Sequence, residues 1–167
     1  MNHPATLPLP ELVKACRFQS LRRSGPGGQH RNKVETAVIV THIPSDVSAE
    51  ANERRSQEEN RKQAMQRLRV NLAVLIRSDV TPDSSPTPLW QSRTRQGRIA
   101  VNPNHADFPA LLAEALDHVA AAAGDVKTAA ERLGCSASQL VKLLKVEPRA
   151  FAAVNAARLQ NGRRPLK

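Results

Sequence analysis

Apolar and polar side chains alternate along residues 16–21, with Cys16, Phe18 and Ser20 set against Arg17, Gln19 and Leu21. A period of two predicts a short strand, with Phe18 as its inward residue. Residues 34–41 are rich in β-branched side chains, Thr36, Val38 and Val40 on one face and Ala37, Ile39 and Thr41 on the other. They predict a second strand covered on at least one side. Pro44-Ser45-Asp46 reads as a turn, where Asp46 tolerates left-handed backbone better than most residues. Residues 47–52 return as the antiparallel partner, Val47, Ala49 and Ala51 alternating with Ser48, Glu50 and Asn52.

At Ser56-Gln57-Glu58-Glu59 the period changes. Serine followed three residues later by glutamate is a capping box, and Met65, Leu68, Leu72, Leu75 and Ile76 then recur at helical steps. That stripe is expected to pack on the sheet, with Arg61, Lys62, Arg67, Arg69 and Arg77 largely on other faces. Residues 78–92, with Pro82, Pro86 and Pro88, have no periodicity and read as a linker. Trp90 within it is expected to dock on a folded unit, and residues 91–98 add Arg93, Arg95 and Arg98 in a flexible basic segment.

Beyond the linker the pattern is helical throughout. Asp107 is a candidate cap for a helix with Leu111, Leu112, Ala115, Leu116 and Val119 inward, ending near Gly124. Asp125 opens a short helix carrying Val126, Ala129, Ala130 and Leu133. Gly134 makes a turn, and Ser136 caps a further helix whose inner side holds Leu140, Val141, Leu143 and Leu144. This string has the small residues, central glycine and underlying leucines of a helix-turn-helix, with Ser138, Gln139, Lys142 and Lys145 outward. A last helix starts at Pro148, with Phe151 and Val154 inward. The reading is therefore an α+β fold, a small antiparallel sheet with a packed helix over residues 1–77. A Pro/Ser/Thr-rich then basic linker follows over 78–104, and a small all-α, helix-turn-helix-like bundle with a basic end over 105–167.

Charge sharpens this picture. A net charge of +10 and a pI near 10.8 call for a polyanionic partner, nucleic acid first, and no apolar run reaches the ~20 residues that cross a membrane. Both halves are basic, with 13 Lys and Arg against 7 Asp and Glu in residues 1–77, and 12 against 8 in 78–167. The aromatic residues Phe18, Trp90, Phe108 and Phe151 are scattered, which points to phosphate contacts rather than base stacking. Cys16 and Cys135, far apart, read as buried free thiols of a reducing compartment. His3, His30, His42, His105 and His118 lack metal-ligand spacing, so neither a metal nor another cofactor is expected, and His118 reads as a surface or partly satisfied residue. Residues 1–13 have no signal or transit pattern, and the cytoplasm is the expected compartment.

The candidate chemistry lies in residues 21–33, where Gly25, Gly27 and Gly28 are three of the protein's 7 glycines. Gly27 and Gly28 open backbone shapes closed to other residues, and Pro26 stiffens the approach, giving a narrow loop tip able to enter a tight cavity. Gln29 offers a backbone N–H for a developing oxyanion, and an amide that positions a water without acting as a base.

Ser24-Gly25-Pro26-Gly27-Gly28-Gln29-His30, with Asn32-Lys33, Thr41-His42-Ile43-Pro44, Glu53-Arg54-Arg55-Ser56-Gln57 and Asn60, closely resembles the catalytic domain of class I peptide chain release factors and their stand-alone ribosome-rescue relatives. The resemblance covers about residues 12–77. It implies hydrolysis of the peptidyl-tRNA ester in the peptidyl transferase centre of the large ribosomal subunit, with rRNA and peptidyl-tRNA as partners. Gly27, Gly28 and Gln29 would be catalytic, with Ser24, Gly25, Pro26 and His30 supporting the loop. Gln29 would be open to N5-methylation by a glutamine methyltransferase. Arg22, Arg23, Arg31, Lys33, Arg61 and Lys62 would contact RNA phosphates, with Lys142 and Lys145 as outlying contacts. Few residues precede the first strand, so codon-independent action is expected. The other reading is a non-catalytic rRNA- or DNA-binding protein acting through the helix-turn-helix.

Overall fold

The computed structural model describes residues 3–22, 36–81 and 83–167. Strands β1 (Cys16–Leu21), β2 (Ala37–His42) and β3 (Val47–Ala51) form one antiparallel sheet in the order β1-β2-β3. Cys16 pairs with His42 and Leu21 with Ala37, while His42 pairs with Val47 and Val38 with Ala51. The β2–β3 turn depends on Asp46, whose φ of 55° is in the left-handed region that its short polar side chain tolerates. Val38, Val40 and Ala51 are buried on one face of the sheet, where helix α2 packs.

Ser56 caps α2 (Gln57–Leu75) by accepting the Glu59 N–H at 3.4 Å. The helix buries Asn60, Ala64, Leu68 and Leu72 at successive four-residue steps, flanked by Met65 and Ala73. Ile76 continues that row and is half-buried, whereas Leu75, expected inward, is 66% exposed. Four-residue steps from Leu72 reach Ile76, and a three-residue step turns Leu75 off the buried face. The expected basic face of α2 is also divided. Arg67 pairs with Glu53 and donates to Glu50 O, Arg69 donates to Ala5 O and Ala106 O, and Arg77 pairs with buried Asp117.

Helix α4 (Phe108–Ala121) lies against the other side of α2. Gln66 donates to His105 O, Arg69 to Ala106 O, and both Arg77 and the Ser78 N–H to Asp117 Oδ1, so the two helices run in the same direction. Almost every residue from Phe108 to Val119 is buried, because α2 covers one side of α4 and the later helices cover the other. His118, expected at the surface or partly satisfied, is 2% exposed, and its Nδ1 has no hydrogen-bond partner among the described residues. Asp107 stands at the N-cap position without capping, since its carboxylate is held by Arg93. Asp125 caps α5 (Val126–Arg132), Gly134 turns the chain at a φ of 65°, and Ser136 caps α6 (Ala137–Val146). Helix α7 (Pro148–Gln160) follows, with Val154 buried and Phe151 half-buried.

The segment read as a linker carries ordered structure. Thr87 caps helix α3 (Pro88–Arg93) and binds the Glu114 carboxylate through its backbone N–H and hydroxyl. Trp90 is fully buried, and its indole N–H donates to Leu133 O at 2.8 Å, the docked role expected for it. Residues expected to be flexible form a two-residue hairpin of β4 (Thr94–Arg95) and β5 (Arg98–Ile99). The chain before β1 also adds unforeseen packing: α1 (Leu9–Lys14) contributes Leu12 and the turn before it Ala5, both fully buried. His3 Nδ1 accepts the Ala5 N–H, so its Nε2–H donates to Ile76 O at 3.1 Å. The buried residues of sheet and helices form one continuous cluster.

Candidate functional site

Residues 22–36 connect β1 to β2, whose last pair is Leu21 with Ala37. Gln29 is therefore eight residues from either strand end along the chain. Arg23, Ser24, Gly25, Pro26, Gly27, Gly28, Gln29, His30, Arg31 and Lys33 lie outside the described residues. What the structure supplies is the frame from which they spring.

That frame is the first turn of α2. Gln57 donates to Ser20 Oγ, near the outgoing end of the loop, and Asn60 Nδ2 donates to Thr36 O at 2.7 Å, at the returning end. Asn60 is fully buried and also ties down the chain leading into its own helix, donating to Arg54 O and accepting from Arg54 N–H, both at 2.9 Å. Each of its polar atoms points to a complementary group, which fixes the orientation of the amide. The Arg61 guanidinium lies over the Phe18 ring, 3.9 Å from its centroid. Gln57, Asn60 and Arg61 share one side of α2 because they are three and four residues apart. Beside them Phe18, Ser20, Val38, Gln57, Glu58 and Arg61 line a cavity of about 210 Å³ at the loop base.

Two of the expected phosphate-binding groups stand here, with different freedom. Arg61 is exposed and, among the described residues, held only by the ring beneath it. Lys62 pairs with Glu58 at 2.8 Å, and that contact lowers the Glu58 pKa and raises that of Lys62. Arg22 is exposed where the described part of β1 ends, and Arg54 and Arg55 are exposed just before α2. Lys142 and Lys145 lie apart from this group, on α6, with Lys145 Nζ 5.5 Å from the centroid of the Phe151 ring. Sequence reasoning gave Asn60 no role. The signal was present, since counting back from Leu68 through Ala64 puts this amide on the buried row, where a polar group needs partners.

Both cysteines are free; burial raises the Cys16 pKa and pushes Cys135 up to about 11, so neither is an activated thiolate. Among the described residues no group of three or more His, Cys, Asp or Glu is placed to hold a metal ion. No helix of the described residues is long and apolar enough to cross a membrane.

The family model of the RF-1 domain matches residues 12–98, from α1 through the frame just described to the start of β5. The chain belongs to the RF-1 domain family. Peptide chain release factor 1 of Dictyoglomus thermophilum and that of Dictyoglomus turgidum are each 46% identical to it over 59 residues. Those residues are 35% of this chain and 16% of each release factor, so the likeness concerns one domain. The RF-1 match runs past Arg77 and takes in α3 and β4, beyond the span on which the motifs alone bear.

Proposed function

We propose that the protein hydrolyses the ester of peptidyl-tRNA in the peptidyl transferase centre of the large ribosomal subunit, independently of the codon, as a ribosome-rescue factor. The observation that carries this is the coincidence of the RF-1 domain match with a loop containing Gly27-Gly28-Gln29 whose ends are bonded to the first turn of α2. Gly27 and Gly28 let the loop tip approach the ester backbone first. The Gln29 amide holds the attacking water, and its backbone N–H faces the developing oxyanion. Ser24, Gly25, Pro26 and His30 shape the loop. Because an amide is not a base at neutral pH, the proton leaving the attacking water passes through the RNA surroundings or solvent, and the tRNA ribose oxygen released when the ester C–O bond breaks takes up a proton from the same source.

In this reading the loop enters a cavity made of RNA, and Arg22, Arg23, Arg31, Lys33, Arg61 and Lys62 meet phosphates around its mouth. Lys142 and Lys145 make a second set of contacts from α6. Gln29 is the acceptor for N5-methylation by a glutamine methyltransferase, which mass spectrometry of the Gln29 peptide would reveal. The compartment is the cytoplasm, where ribosomes and a reducing environment coincide.

Peptide release from stalled ribosomes tests the proposal. Gln29→Ala removes the water-holding amide and Gly28→Ala adds a Cβ to the backbone-first approach; both should bind ribosomes yet release peptide about 10²–10³ times more slowly, the scale of losing one positioned polar group. Undiminished release by both variants would remove the hydrolase reading. The exposed Ser138 and Lys142 on α6 favour, as a second reading, a non-catalytic rRNA- or DNA-binding protein, and only that one predicts a parent without release activity.

A further inference from the structure

The β4–β5 hairpin is short, but its construction is specific. Gln96 and Gly97 both have positive φ, 49° and 73°, which makes a turn whose twist matches the strands. Glutamine in that conformation is strained, and the structure around it holds it there. Thr94 pairs with Ile99 and Arg95 with Arg98, so the two pairs project to opposite sides of the ribbon. Thr94 Oγ1 is buried and Ile99 packs on the core, so Arg95 and Arg98 point outward, directly opposite one another. Like charges so placed repel and destabilise the pair.

The ribbon is fastened to the helix-turn-helix. Gly97 O accepts the Ser136 N–H at 3.1 Å, at the residue that caps α6, and β5 packs along α6. Lys142 is then six residues from the cap, about 9 Å along the helix. Arg95, Arg98 and Lys142 are all exposed, and their side chains have no ion pair or hydrogen bond among the described residues. Most other arginines outside the loop are engaged: Arg67, Arg69, Arg77, Arg93, Arg149, Arg158 and Arg163 are held by carboxylates or carbonyls. Residues 94–106 and 132–146, which make this surface, contain neither Asp nor Glu. They contain no Phe, Trp or Tyr either, so the surface has charge to offer and nothing on which a base could stack.

We propose that Arg95, Arg98 and Lys142, with Ser138 beside them, form a docking surface for the phosphate backbone of double-helical RNA in the large ribosomal subunit, separate from the catalytic loop. A phosphate between the two guanidinium groups relieves their mutual repulsion, and the exposed Ser138 hydroxyl and the Lys142 ammonium reach the neighbouring backbone. Base sequence is not read, since A-form helices are recognised mainly through their phosphates and shape. The choice of RNA rests on the ribosomal function proposed above; the choice of a phosphate backbone rests on the surface itself.

The test is a salt series of binding between full-length protein and large ribosomal subunits. R95A/R98A should bind more weakly at low salt, with the slope of log affinity against log salt shallower by about one for each phosphate no longer neutralised, hence by about two. Lys142→Ala should reduce it by about one further in the same background. K14A/K167A removes the same charge elsewhere and should leave the slope near that of the parent. An equal fall with K14A/K167A, or an unchanged slope with R95A/R98A at an unchanged melting temperature, overturns the proposal. R95Q/R98Q, which retains much of the side-chain length and its hydrogen bonding without the charge, should behave as the alanine pair does. A loss confined to a DNA duplex, with subunit binding intact, also overturns it and assigns the surface to DNA. If the parent releases no peptide while subunit binding depends on Arg95 and Arg98, the hydrolase reading fails and this one stands.

Discussion

Asn60 has more structural consequence than any other single polar side chain at the loop base. Its Nδ2 serves two carbonyls and its Oδ1 one N–H, all at a fully buried position. Asn60→Ala orphans those groups and should cost about 1–3 kcal/mol for each left unsatisfied, read from urea unfolding. Asn60→Asp keeps the size but turns an acceptor toward Thr36 O and Arg54 O, so at neutral pH it should unfold more readily than the alanine variant. The buried aspartate has its folded pKa raised, so its stability is present below the unfolded pKa and lost as pH rises through the folded value. Its urea midpoint should thus recover in acid, and a midpoint independent of pH would count against the assigned bonds. His118 gives the opposite sign. Burial first, and the Arg132 charge second, hold its folded pKa below 6.5. The unfolded chain then takes up the proton first as pH falls, so stability complete above 6.5 is lost toward the folded pKa. Between about pH 7 and pH 5 the melting temperature should fall less steeply in His118→Leu than in the parent.

Among elements, those set by local chemistry were legible in the sequence. Strand β1, the Asp46 turn, the Ser56 and Ser136 caps and the Gly134 turn are all signalled by residues that touch their own neighbours. What escaped depends on partners distant in the chain. Asp107 has the residue type and position of a cap, yet Arg93 takes its carboxylate. The 88–93 segment has no visible period because Trp90 is the one buried residue of its helix. The segment carrying Gly27, Gly28 and Gln29 stands out in the sequence for another reason: its composition suggests chemistry rather than packing, and the role proposed for it falls on residues outside the described ones. At the α4–α5 joint the structure makes its own sharp expectation. Gly124 has a φ of 77°, and an added Cβ would stand 2.9 Å from Arg158 Cγ and 3.3 Å from its Cα. Gly124→Ala should therefore lose at least the ~1–2 kcal/mol of a left-handed alanine, measured as a lowered melting temperature.

At the scale of the molecule the two halves meet along α2 and α4 and share one apolar cluster. The sequence alone suggests that residues 1–77 would stand without the rest. The packing gives a different expectation, since removing 105–167 uncovers the α2 side that carries Gln66, Arg69 and Ala73, and Arg77 just beyond its end. The truncated chain should melt earlier and more broadly than the full one. In the full chain Trp90, the protein's one tryptophan, reports on the helical half, while far-ultraviolet circular dichroism reports on both. Their unfolding curves in urea should coincide, and separated midpoints would show that the halves unfold independently.

Because α2 and α4 run in the same direction, the chain leaving Arg77 must travel back before α4 can begin. From Asp117 beside Arg77 back to Phe108, where α4 begins, is nine residues, about 13.5 Å of rise, which roughly four extended residues would bridge. Residues 78–107 are several times longer than that errand requires. The surplus is folded into α3 and the β4–β5 ribbon, so the detour itself became the place where Trp90 could be anchored and Arg95 and Arg98 displayed. Shortening the stretch within 79–86 should therefore be borne more easily than any cut within 88–99.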